Sequence, residues 1–62
     1  MDANALQSAF YQHVKSGALA KAEEVAAALV ELMLLRRELG QDVSDTTVAA
    51  WQARQSLLNL MR

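Results

Sequence analysis

The stretch Val25–Leu39, VAAALVELMLLRREL, decides the fold. Between Leu29 and Leu35, six of seven residues are apolar and only Glu31 interrupts the run. At about 100° per residue, those side chains point almost all the way round a helix. Such a helix cannot leave a broad face in water, so it needs cover on at least two sides. The expectation is an all-α protein built around this central helix and completed by oligomerisation or by a partner chain.

The neighbouring sequence supplies the candidate covers. Upstream, Ala3, Leu6, Phe10 and Val14 fall at helical spacing on one narrow stripe, which predicts a shorter N-terminal helix over about 3–15. Asp2 is placed to cap it, with a charge that suits the positive end of the helix dipole. Ser16 and Gly17 then punctuate the chain. Gly17 suits the left-handed position after a helix, Ser16 could cap the next one, and a continuous helix weakened at Gly17 is the third option; a break is favoured. The second helix is expected over about 19–39. Val25, Leu32 and Leu39 repeat every seven residues with Ala28 and Leu35 between them, which reads as a packing seam. Ala22, Ala26, Leu29 and Met33 form a second stripe, and Val30 with Leu34 a third. Arg36 and Arg37 carry the favourable sign for the last turn.

Downstream, Gly40 is a stop signal, and Gln41–Ser44 is a loop in which Asp42 or Ser44 can cap the next helix. The third helix is expected over about 45–61, with Ala50, Ala53, Leu57 and Leu60 on one stripe and Trp51, Leu58 and Met61 beside it. A loop this short makes the two long helices an antiparallel hairpin by default.

Composition narrows the function. Sixty-two residues form one small domain at most, and a chain this short is marginal without a staple. It has no cysteine and one histidine, so a disulfide, a thiolate metal site and an intrachain histidine cluster are all excluded. No cofactor site and no metal site are expected. Proline and isoleucine are absent and the aromatics number three, which speaks against strands. The net charge of −1 argues against nucleic acid as the partner. The N-terminal MDANALQ lacks the basic and apolar regions of a signal peptide, and the run Val25–Leu35 is too short to span a bilayer. No membrane association is expected, and the cytoplasm is the expected location.

Catalysis finds little support. His13 is the one imidazole, and it reads as a histidine at the edge of an amphipathic helix, without a positioned nucleophile. The adjacent Glu23 and Glu24 do not face each other on a helix. There is no glycine-rich phosphate loop, and no catalytic residue is assigned. The expectation is therefore a non-enzymatic protein. Glu38–Gly40 followed by Val43–Val48 is worded like the turn and reading helix of a helix-turn-helix DNA-binding regulator, which stands as the alternative. Against it, Gln41 and Asp42 lengthen the turn, and Arg54 is the one basic residue between Asp45 and Leu60.

Trp51 has two readings of equal weight. It either closes the core near the loop or, with Leu58 seven residues on, meets a partner. Arg54 falls inside the same arc, so it needs an acidic mate, for which Glu31 is the candidate, or must snorkel to water. Met33 and Met61 read as core filler. Val30, Leu34, Trp51 and Leu58 are thus the candidate partner-binding residues. The partner is another protein, a second copy of the chain, or both.

Gly40, Trp51-Gln52, Leu57 and Leu58 stand in helical order behind a leucine-rich helix. Over Val25–Met61 this resembles the small co-chaperones of type III secretion needle subunits, the YscE and PscE type. That resemblance implies a non-enzymatic cytoplasmic protein that binds a larger helical-repeat chaperone and helps keep an aggregation-prone needle subunit soluble. It carries over the apolar hairpin face and no individual residue role. A small adaptor or co-chaperone is the main expectation, and a docking or dimerisation module of a larger assembly fits the same physics.

Overall fold

The computed structural model describes residues 2–61. They form three helices, α1 (Ala3–Lys15), α2 (Leu19–Glu38) and α3 (Ser44–Leu60), with no strand among the described residues. The Asp2 carboxylate caps α1 by accepting from the Ala5 N–H at 2.7 Å. The chain breaks at Gly17, and the break is a specific hydrogen-bonded device. The Gly17 N–H donates to the Val14 carbonyl and the Ala18 N–H to the His13 carbonyl, the paired bonds of a Schellman motif. The Ser16 hydroxyl donates to the His13 carbonyl and plays no part in starting α2.

The same device closes α2. The Gly40 N–H donates to Arg37 and the Gln41 N–H to Arg36, so Leu39 is the C-cap rather than the last helical residue. Gly17 and Gly40 have φ of +80° and +74°, which a side chain on Cβ disfavours. Asp42, not Ser44, organises the start of α3. Its Oδ1 accepts from the Ser44 N–H and hydroxyl at 3.1 and 2.6 Å. The Ser44 hydroxyl bond, more than its N–H bond, holds the Asp42 carboxyl below the usual aspartate range.

The core lies where alanine brings helices close. Phe10 and Leu6 of α1 pack with Ala22, Ala26 and Leu29 of α2 and with Ala49, Ala53 and Leu57 of α3. Phe10 and Leu29 are fully buried, each side chain contributing about 1.5–3 kcal/mol. α1 packs mainly on α2 and touches α3 more lightly, in part through Gln7 Nε2 donating to Gln52 Oε1 at 3.0 Å.

The seam expected at Val25, Leu32 and Leu39 does not hold along its length. Val25, Ala28 and Leu32 are half-buried, but Leu35 and Leu39 are exposed. The reason is length. At 1.5 Å per residue α1 covers about 20 Å and α2 about 30 Å. Because the chain turns back at Gly17, cover from α1 runs out near Leu32. Leu60 and Met61 are exposed as well, so neither serves as core, while Met33 is half-buried.

One buried polar group was not foreseen from the sequence. Thr46 is fully buried, and its hydroxyl accepts from Arg36 Nη1 at 3.0 Å and donates to Asp45 Oδ1 at 3.2 Å. Arg36 thereby ties the last turn of α2 to the first turn of α3. The Arg36–Asp45 approach of 3.8 Å adds little, because Asp45 is largely in water.

Both joints can be tested by substitution. Gly40→Ala meets no atom within 4 Å, so its cost is backbone strain alone, about 1–2 kcal/mol. Gly40→Asn should cost less, since asparagine visits the left-handed region; urea unfolding of the two variants checks the order. Thr46→Val and Arg36→Ala should each destabilise by about 1 kcal/mol and be clearly sub-additive together, as a double-mutant cycle on unfolding would show.

Candidate protein-docking face

α2 and α3 each carry a second apolar stripe beside the one that faces the core. On α2, Ala27, Val30 and Leu34 succeed one another at spacings of three and four. On α3, Val48, Trp51 and Leu58 do the same at three and seven. Val30 is half-buried, Leu34 is 47% exposed and Leu58 46% exposed. Trp51 is 62% exposed, and on a helical wheel it points almost directly opposite the buried residues Thr46, Ala49, Ala53 and Leu57. The reading in which Trp51 closes the core is therefore corrected. Small alanines occupy the core-facing positions around it, and the indole has no place among them.

A shallow groove of about 210 Å³ runs between these stripes. Its floor is Ala26, Ala50 and Leu57, its α2 wall is Ala27 and Val30, and Glu23 and Arg54 stand on opposite sides. This corrects the pairing expected for Arg54. Its counterpart across the groove is Glu23, about two turns from Glu31, and both Arg54 and Glu31 are exposed. The groove is smaller than the ~300 Å³ at which small-molecule pockets begin, and most of its walls are apolar. Its size suits an inserted side chain from a partner surface.

Other parts of the surface offer less. A depression bordered by Ser8, Tyr11, Gln12, Lys15 and Ser16 lies on α1 and its cap alone, so nothing encloses a bound molecule. His13 is half-buried at the edge of α1. Among the described residues, no three histidine, cysteine, aspartate or glutamate side chains come together to hold a metal. No helix of the described residues is long and apolar enough to cross a membrane.

Of the four candidate partner-binding residues, Val30 lines the groove, and Leu34 continues its stripe one turn on. Trp51 adjoins Ala50 in sequence, and Leu58 lies one turn beyond Arg54. Two features of the face were missed from sequence, the Glu23–Arg54 juxtaposition and the exposure of Val48. Helical spacing alone could have found the second, because Val48 lies three residues before Trp51. No family model, curated protein or solved structure matches this chain.

Proposed function

We propose that this chain is a non-enzymatic protein–protein interaction module, a small adaptor or co-chaperone that buries a leucine- and alanine-rich helical face against a partner. The observation that carries the reading is the exposure of Trp51 beside an alanine-floored groove. Tryptophan is enriched at interface hot spots, and leaving such a ring in water forgoes a large burial energy. In this reading α2 and α3 form an antiparallel hairpin. Two contacts support that arrangement. Arg36 near the end of α2 meets Thr46 near the start of α3, while Glu23 near the start of α2 shares a groove with Leu57 near the end of α3.

The resemblance to the needle-subunit co-chaperones of type III secretion supplies the partner class. The partner is a helical-repeat chaperone, and the cargo is a needle subunit that aggregates alone. The reading places the protein in the cytoplasm. An outer α3 face of Val48, Trp51 and Leu58, with Arg54 as its only described cation, weighs against the DNA-binding alternative, since phosphate contacts need clustered positive charge.

Co-expression with a needle subunit and its helical-repeat chaperone from the same genome, followed by purification through this chain, tests the proposal. A soluble complex of the three is expected, and insoluble needle subunit with this chain recovered alone would contradict it. In the purified complex, Trp51→Ala and Leu58→Ala should each weaken binding by more than about 1 kcal/mol, roughly fivefold. Trp51→Ala should shift the unfolding free energy of the isolated chain by less than about 0.5 kcal/mol, because the ring lies outside the core. Unchanged affinity for both variants would remove this face from the interface.

A further inference from the structure

The groove between α2 and α3 has a property that a generic apolar face lacks, which is that its charges are self-complementary. Glu23 stands on the α2 side and Arg54 on the α3 side of one groove. Both are exposed, and among the described residues the ion pair present is Arg36–Asp45, which involves neither. We propose that this face docks a second copy of the chain, with Glu23 of each copy against Arg54 of the other. The proposal rests on the reading of this face as a docking surface and names its occupant.

The charges select the symmetry. A two-fold axis lying in the interface along the groove places α2 of one copy over α3 of the other. Glu23 and Arg54 border the same groove, so each Glu23 then comes over the opposing Arg54, and the contact occurs twice. An axis across the groove would instead lay α2 on α2 and α3 on α3, and would keep Glu23 away from the opposing Arg54. With the axis along the groove, Val30 stands over Trp51, because Val30 and Ala50 line the same groove. The small Ala27 beside Val30 leaves space for the indole. The result is a four-helix arrangement with Trp51 inside it.

The areas agree with this occupant. Two helices side by side, each about 10–12 Å wide over the ~26 Å of α3, offer roughly 500–600 Å². That sits at the low end of what a specific pair buries per partner, about 600 Å². The pair is accordingly weak and concentration-dependent, and free to exchange for a larger partner.

Sedimentation equilibrium from about 1 µM to about 500 µM tests the association. The mass should rise from 6.8 kDa towards twice that value. Glu23→Arg and Arg54→Glu should each weaken association at least about tenfold by setting like charges together. Mixing those two variants in equal amounts should restore a dimer, because each arginine then meets a glutamate across the interface. Restoration in the mixture reports on contacts between chains and is blind to any interaction within one. Circular dichroism of each variant confirms that both remain folded; if either does not, Glu23→Gln and Arg54→Gln serve, each expected to weaken association more mildly. A monomer at every concentration overturns the proposal, as does a dimer indifferent to Glu23 and Arg54, or one that the mixture fails to restore. If the chain stays monomeric yet binds the chaperone and needle subunit through Trp51, the second-copy proposal falls while the function proposed above stands.

Discussion

The close approach of helices at alanine is the constraint on which this structure depends. Ala22 and Ala26 of α2 face the core together with Ala49, Ala50 and Ala53 of α3, and all five are buried. Close backbone approach lets a 62-residue chain surround Phe10 and Leu29 completely with three short helices. The core is thus small and made of small parts. A domain of this size has a total stability of only about 3–9 kcal/mol, so the burial of two large side chains is a substantial share of it.

That economy has a consequence outside the core. With alanine taking the inner positions, the large apolar residues of α2 and α3 are displaced outward. Leu34, Val48, Trp51 and Leu58 lie exposed, and Leu35 and Leu39 extend past the reach of α1. Three helices of unequal length cannot cover one another, and the shortest, α1, leaves the loop end of α2 bare. The exposed apolar surface is therefore a product of how the core is built. Its continuity across α2 and α3, with Glu23 and Arg54 flanking it, gives it the form of a docking face.

Much of the fold was legible in the sequence. The helical class, the break at Gly17 and the stop at Gly40 came from periodicity and from glycine chemistry, and the structure supplies the hydrogen bonds that make both glycines necessary. What could not be read was which of several apolar stripes on α2 faces inward. A helix apolar nearly all round offers several, and the large residues of the heptad seam drew the reading. The inward face was chosen by alanine and by the length of α1, neither of which a hydrophobicity pattern reports. Thr46 escaped for a related reason. A threonine in a first helical turn reads as a capping or exposed residue, and only the arrival of Arg36 from α2 explains its complete burial. The exposed candidates Leu34, Trp51 and Leu58 were visible as surplus apolar positions, whereas the charge pairing across their groove needed the relative placement of two helices.

The stripe of Ala22, Ala26 and Leu29, more than the heptad seam, holds α2 in place. Urea unfolding of Ala22→Leu and Leu35→Ala, measured side by side at low protein concentration, tests that claim most directly. Ala22 is fully buried, so a leucine there should overpack the core and cost about 1–3 kcal/mol. Leu35 is more than half exposed, so its truncation should cost less than about 1 kcal/mol. A larger loss from Leu35→Ala than from Ala22→Leu would contradict the claim and return the seam to the core.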